Sequence, residues 1–367
     1  MMVLLAAPAE AHHPGVGGSS GSGGGINTIS ADTLAEGLIA ASVRYEFIRL
    51  GELSPSDLLA GMSRGQHVHS IKSIDSLALS AAYGITDNLT VSVRASGTRR
   101  SDIREASEDM LSGGSTRGMS AADMGSLMSP GSIMNRGNSL GFGDMTLLGQ
   151  YRFLNNTQSA TSAAVLFGVK APTGSTGQRD SQGALFEAEL QPGSGSWDAL
   201  FGAAVTQRFG RWSVDASGLY VKAGNGTQQT NLGDRFLFGT SLSYRLVGAS
   251  GSSKDVEMHE YCMKPQNQLQ EHCLYHANHD HSDMAKTPYT LDLVLEVNGE
   301  WHDKQRIAGV PDPNSGGTNV YLSPGIRVGV DRFSSFLSVG IPVLDQHNGI
   351  QSPPDYRIVT GVAARLN

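Results

Sequence analysis

Leu291-Asp292-Leu293-Val294-Leu295-Glu296-Val297-Asn298-Gly299-Glu300-Trp301 decides the fold. The odd positions are Leu, Leu, Leu, Val, Gly and Trp; the even ones are Asp, Val, Glu, Asn and Glu. Successive side chains of a strand point to opposite faces. One face of this strand is therefore apolar and ends in an aromatic, while the other carries three carboxylates. A soluble sandwich would turn the apolar face inward. Recurrence of the pattern, and the charges on the polar face, argue instead for a strand with lipid on one side and a polar interior on the other.

The alternation returns along the chain. Arg211 to Val221 sets Trp212, Val214, Ala216, Gly218 and Tyr220 against Arg211, Ser213, Asp215 and Ser217. Arg235 to Leu246, Asp144 to Phe153 and Tyr356 to Leu366 sort in the same way. Weaker copies lie at Ile39 to Leu50, Ser76 to Gly84, Leu89 to Thr98, Ala163 to Pro172, Trp197 to Phe209, Val320 to Val330 and Phe333 to Pro342. About twelve strands of roughly ten residues, with aromatics near their ends, predict an all-β chain: a single antiparallel transmembrane β-barrel. Leu291, Leu293, Leu295 and Val297 should face lipid.

Composition agrees. Gly is abundant, at 46 residues, and no apolar run approaches the ~20 residues of a spanning helix. The net charge of −7 gives no support to a nucleic-acid partner. No linker separates two cores, so one barrel over 35–367 is the simplest division. Ahead of it, 1–11 reads as the remnant of a signal peptide, with Val3-Leu4-Leu5-Ala6-Ala7 as apolar run and Ala9-Glu10-Ala11 as cleavage form. Residues 12–34 read as a Gly/Ser-rich tether. With the N-terminus in the periplasm, short turns at Thr86-Asp87-Asn88, Asn155-Asn156, Gly210-Arg211 and Asp331-Arg332 fall inside the cell envelope. Leu53 to Lys72, 101–138, Gly174 to Pro192, Asn225 to Asn231, Asp303 to Thr318 and Asp345 to Pro354 become outer loops. The exception is a long periplasmic Cys/His-containing excursion over 248–287.

Charges on the lipid face cost ~2–4 kcal/mol each near the midplane. The strand-borne charges therefore belong inside: Arg44, Glu46, Arg94, Asp144, Arg152, Lys170, Asp198, Arg208, Asp215, Arg235, Arg245, Asp292, Glu296, Glu300, Arg327, Arg357 and Arg365. They could form a solute path or a salt-bridged filling, and the sequence weighs the two equally. Twelve strands lie between side-chain-filled and openly water-filled barrels, which favours a selective channel over a wide porin.

The excursion holds His259, Cys262, His272, Cys273, His276, His279 and His281. Two cysteines in an exported chain most often pair, so a Cys262–Cys273 disulfide leads over a metal–thiolate site or free thiols. The histidines, with His12 and His13 near the N-terminus, could bind Cu or Zn loosely; a solvated polar loop explains them equally well. Met110, Met119, Met124, Met128 and Met134 could offer thioethers to Cu⁺, though anchoring of a loop is the commoner use. His67-Val68-His69 adds two imidazoles outside. No cofactor is required by any of this. An enzyme is disfavoured: no G-x-S-x-G stands as a nucleophile elbow between a strand and a helix, and His is nearly confined to termini and loops, with His302 and His347 at strand ends.

Gly141-Phe142-Gly143-Asp144-Met145-Thr146-Leu147 with Tyr151-Arg152-Phe153, followed by Gly168-Val169-Lys170-Ala171-Pro172-Thr173-Gly174, resembles the outer-membrane family called putative MetA-pathway phenol-degradation proteins, or simply "transporter". Asn231-Leu232-Gly233-Asp234 and Leu322-Ser323-Pro324-Gly325 fit the same family. The resemblance spans Ala35 to Asn367, and His12-His13-Pro14-Gly15-Val16-Gly17 is similar to the start of a His-rich subgroup. It implies an outer-membrane barrel of a Gram-negative bacterium, in contact with its lipid, that takes up a small solute, an aromatic compound by the family's name. A metal-related solute is the alternative suggested by the His and Met loops, with the His-rich excursion as metal binder or periplasmic docking device. A structural or metal-binding barrel without transport, and more remotely an outer-membrane hydrolase, are the other readings.

Overall fold

The computed structural model describes residues 24–64, 68–107, 132–248 and 289–366. The polypeptide forms β1 (Ile39–Leu50), β2 (Ser73–Thr86), β3 (Leu89–Ser107), β4 (Ser132–Phe142), β5 (Met145–Asn156), β6 (Thr161–Ala171), β7 (Asp198–Phe209), β8 (Trp212–Lys222), β9 (Arg235–Val247), β10 (Tyr289–His302), β11 (Gly317–Val330), β12 (Phe333–His347) and β13 (Pro354–Leu366). Two-residue ribbons in the loops are left unnumbered. Except for β4 and β5, consecutive strands pair antiparallel, and β1 pairs with β13 to close the ring. β4 and β5 are one stave, broken at Gly143-Asp144: β3 pairs with β5 over its first half and with β4 over its second. The result is a closed barrel of twelve staves, as the alternation predicts. Closure through β1 and β13 removes the edges that an open sheet of the other staves would present.

Alternation in the sequence becomes the two faces of the wall. In β10, Leu293, Leu295 and Val297 are more than two-fifths exposed, while Asp292, Glu296 and Glu300 are buried. The exposed apolar band runs around the barrel, through Leu79, Leu147, Phe167, Phe201, Ile326 and Val362 among others. Exposed aromatics gather near both rims: Tyr83, Tyr151, Phe153, Phe209, Trp212, Tyr289 and Phe333 at one, Phe142, Trp197, Phe236 and Trp301 at the other. An apolar band between aromatic girdles matches the hydrocarbon layer of a bilayer.

The rims are unequal. One carries tight turns, such as Gly210 and Asp331 with positive φ; the β9–β10 connection leaves from that rim, since Val247 pairs with Leu291. That connection, with the excursion's Cys262, Cys273 and histidines, lies outside the described residues, as do His12 and His13. The other rim carries long loops that pack on one another. Leu58, Val68 and Ala106 form one apolar cluster there; Ile48, Leu50, Ile71, Ile74, Ile103, Phe186 and Leu190 form a second.

Three expectations need correction. First, 101–138 is not simply a loop: β3 runs on to Ser107 and pairs with β4, Ser107 opposite Ser132. This hairpin, which includes Met134, stands beyond the apolar band. Without lipid on one side the alternation fades, and only backbone pairing makes it a strand. Second, the loop after β1 contains helix α1 (Pro55–Ser63). Its signal was present: Ser54 Oγ accepts the Asp57 N–H, Asp57 Oδ2 accepts the Ser54 N–H, and Pro55 sits where a helix tolerates it. Third, the part of the 12–34 tether that is described, 24–34, runs inside the barrel. Ile26, Ile29, Ala31 and Leu34 are buried. Gly and Ser dominate only up to Gly25; beyond it, Ile26-Asn27-Thr28-Ile29 has apolar surface to bury.

Candidate functional site

An inserted segment without regular secondary structure has N–H and C=O groups with no sheet or helix to satisfy them, and buried backbone groups must be paired. The barrel wall supplies the partners from its inward side chains. Glu296 of β10 accepts the Asn27 N–H at 3.0 Å, the Thr28 N–H at 2.9 Å and Asn27 Nδ2 at 2.7 Å. Asp215 of β8 accepts the Gly25 N–H at 3.1 Å, and also Thr206 Oγ1 at 2.6 Å and Ser241 Oγ at 2.9 Å. Arg327 of β11 donates to Gly25 O at 2.7 Å, and Arg44 of β1 donates to Ile26 O at 3.1 Å and Asn27 Oδ1 at 2.7 Å. Further along, Ser217 Oγ, Thr206 Oγ1 and Thr90 Oγ1 accept the N–H groups of Ile29, Ala31 and Leu34, while Gln150 donates to Ser30 O and Asp32 O. The Asp32 carboxylate meets Arg208.

Apolar side chains finish the fit. Ile29 and Ala31 pack on inward Leu148, Leu166, Leu200, Leu219 and Leu237; Ile26 packs on Val294, Phe336 and Val359. Two inward-facing details admit the segment closely. A Cβ on Gly239 would stand 2.9 Å from Thr28 Oγ1, and one on Gly325 would stand 2.7 Å from Ile26 Cδ1.

Most predicted inward charges pair with one another. Arg245 binds Asp292, and Arg327 Nη1 lies 4.0 Å from the same carboxylate. Glu46 lies 3.8 Å from both Arg44 and Arg357, and the Arg357 guanidinium stacks 4.4 Å over the Tyr321 ring and donates to Asn298. Arg235 lies 3.8 Å from Glu300. Arg152 and Arg365 are not in this interior. Arg152 bonds the β2–β3 turn through Asp87 O and Asn88 Oδ1, and Arg365 is exposed beside the β11–β12 turn. Inward parity at a strand's last residues leads only to the rim.

Toward the long-loop rim, above the inserted segment, lies a cavity of about 130 Å³ lined by Arg94, Arg100, Lys170, Asp198, Arg235 and Glu189 among others. Lys170 Nζ sits 2.6 Å from Asp198 Oδ2, 3.3 Å from Asp144 Oδ2 and 2.6 Å from Ser194 Oγ. The two quoted sequence motifs meet here. Asp144 of Gly141-Phe142-Gly143-Asp144 accepts the N–H of Gly174 at 2.9 Å, and that glycine ends the Gly168-to-Gly174 motif. Thr173 Oγ1 accepts the Met145 N–H at 2.8 Å. Gly174 must be glycine for space: its Cβ would meet Gly193 Cα at 2.6 Å and Gly143 C at 2.8 Å. Asp234 repeats the arrangement after β8, accepting the Ala223 N–H, Tyr220 Oη and Lys222 Nζ. Partial burial works against its charge, but those donors outweigh it and hold the Asp234 carboxyl below its ordinary range. Burial pushes the Glu189 carboxyl well above the ordinary range, and the Glu187 carboxylate beside it adds to the rise.

Sequence reasoning missed the inserted segment and Glu187 and Glu189. The first had a signal in Ile26-Asn27-Thr28-Ile29. The second had none, because both glutamates sit in a loop with no period.

Comparison with known proteins follows from this geometry. The crystal structure of a COG4313 outer membrane channel from Pseudomonas putida F1 superposes with a TM-score of 0.51 at 14% identity, covering 92% of this chain and 98% of that one. At that identity the likeness is one of fold. Weaker superpositions include the CymD monoaromatic hydrocarbon channel, at TM-score 0.41 and 11% identity over 96% of this chain and 97% of that one. No curated protein sequence matches. The family model described as "Putative MetA-pathway of phenol degradation" matches residues 56–257, more than half of the chain. The chain, an outer-membrane-type β-barrel with a porin-like fold, belongs to that family.

Proposed function

We propose that the protein is an outer-membrane channel of a Gram-negative bacterium for a small solute, with residues 24–34 as the element that closes it. The observation that carries this reading is the way the segment is held. It contributes no strand to the sheet, and its bonds to the wall run largely to inward side chains, so it can leave without breaking a barrel pair. The tight-turn rim faces the periplasm and the long-loop rim faces outward, the usual asymmetry of such barrels. A solute enters between the outer loops and reaches the cavity lined by Arg94, Arg100 and Lys170 together with Asp198 and Glu189. Low-dielectric walls focus the field of such groups on a charged or polarisable solute. The family's description favours an aromatic compound from phenol breakdown; a metal complex is the alternative.

The mutual pairing of the inward charges favours a second reading, a closed structural barrel. Single-channel recording of the purified full chain in a planar bilayer separates the two. Small steps that respond to aromatic acids or metal complexes support the channel; persistent silence, with the barrel folded, favours the scaffold. In the same reading Cys262 and Cys273 are bonded, and unreduced protein from the envelope should weigh two hydrogens less than the reduced form.

A further inference from the structure

A cluster under the outer loops borders the cavity through Glu189. His69 belongs to the ribbon His69–Ser70, which pairs with Glu105 and Arg104 of β3. Glu187 and Glu189 flank the start of a short 3-10 turn, Ala188–Leu190. That turn is fixed, because Phe186 and Leu190 are buried among Ile48, Leu50, Ile71, Ile74 and Ile103. The imidazole and the two carboxyls are thereby brought together, with one donor atom from each lying within 4.8 Å of the others. His69 Nε2 lies 2.5 Å from Glu187 Oε2.

Charge and burial make this grouping unusual. His69 is 8% exposed and Glu189 6%. Both Glu189 oxygens are buried and neither makes a hydrogen bond of ordinary geometry; the groups nearest them are the residue's own N–H and the Glu187 carboxyl. The carboxyl facing it, Glu187, is an acceptor that could satisfy it only through a shared proton. Of the arginines around the cluster, Arg136 holds Asp180 at 2.7 Å and lies 3.7 Å from Glu105, and Arg100 donates to Gln191 O at 3.3 Å. A buried carboxylate left without a partner is costly, and a cation bound between the three groups removes the cost.

We propose that His69, Glu187 and Glu189 form a binding site for a divalent transition-metal cation of the zinc type. Imidazole nitrogen and carboxylate oxygen are ordinary zinc donors, at ~2.0–2.2 Å. A tetrahedral ion at that range spaces its donors ~3.3 Å apart, between the 2.5 Å and 4.8 Å found among these atoms. Small rotations of two glutamate side chains reach it. Glu105 Oε2 lies 3.8 Å from His69 Nδ1, on the side where a ligating imidazole donates its other N–H. Glu189 lines the cavity, so the fourth position faces polar space suited to water. The ion would clamp the loop before β7 to the β3–β4 hairpin. It stands apart from the inserted segment, and its failure would leave the channel reading untouched.

The test uses the full chain in detergent, stripped with a chelator and titrated with zinc chloride. The histidines at 12, 13 and in the excursion are expected to take zinc too, so the readout is a difference: Glu189→Gln and His69→Gln should each bind one equivalent less than the parent. Zinc-edge anomalous diffraction from the parent should place a peak ~2.0–2.2 Å from His69 Nε2 and both carboxyls. Unchanged stoichiometry in both variants, or anomalous peaks at other histidines only, would overturn the site and favour a shared proton between Glu187 and Glu189. Should either variant fail to fold, the peak in the parent decides alone.

Discussion

Glu296→Gln tests the closing segment directly. Glu296 gathers three N–H groups of Asn27 and Thr28 at 2.7–3.0 Å. Hydrogen bonds to a charged group contribute about 1.5–3 kcal/mol each. The amide keeps one acceptor oxygen and turns an NH₂ group toward the donors that the other oxygen had served. Arg44 and Arg327, which lie in the field of this carboxylate, also lose an opposite charge while they hold Ile26 O and Gly25 O. Since the bonds share one side chain they do not add fully, and a loss of about 2–4 kcal/mol in docking is reasonable. At 1.4 kcal/mol per factor of ten, the undocked population rises about 30- to 1,000-fold. The barrel pairs of β10 are made by its backbone, so folding, read as heat-modifiable migration on a gel, should be preserved. The assay is open time in single-channel recordings of the full chain. A folded variant with the open time and conductance of the parent would refute the role given to residues 24–34.

Other outcomes follow from the same geometry. Leu293→Arg places a charge in the lipid-facing band, at a cost of ~2–4 kcal/mol near the midplane; it should reduce assembled barrel in the membrane fraction, whereas Leu293→Phe should not. Gly174→Ala drives a methyl into Gly193 and Gly143 backbone; a cost of about 1–3 kcal/mol should appear as a lower unfolding midpoint and faster nicking of the outer loops. Asp234 has a folded pKa below its unfolded value, so its contribution is full above the unfolded value and fades as pH falls through the folded one. Guanidinium midpoints should therefore fall less between pH 5 and about pH 3 in Asp234→Asn than in the parent, and parallel curves would show that the Lys222 and Tyr220 contacts do not matter for stability.

The barrel was legible because lipid makes a simple demand. Every wall position is either in hydrocarbon or not, so Leu293, Leu295 and Val297 alternate with Asp292, Glu296 and Asn298 wherever the wall crosses that layer. The same rule explains its limits. Above the layer, where β3 and β4 continue in Ser, Arg and Asn, no alternation marks the strand. At the rim, parity still points Arg152 and Arg365 inward, but no enclosed interior is left to receive them.

By itself the sequence determined the twelve crossings, the face each presents to lipid, the unequal rims and the family motifs. Tertiary structure alone decided what the inward charges do. Glu296 and Asp215 are strand residues 81 positions apart, and the register of β8, β9 and β10 sets both opposite Ser241 and toward the backbone of residues 25–28. The β5–β6 register brings Asp144 to Gly174, and the folded outer loops, whose residues carry no period, bring His69 to Glu187. Local pattern records which solvent a side chain meets; which partner it meets depends on strand register and on how the loops fold over the barrel.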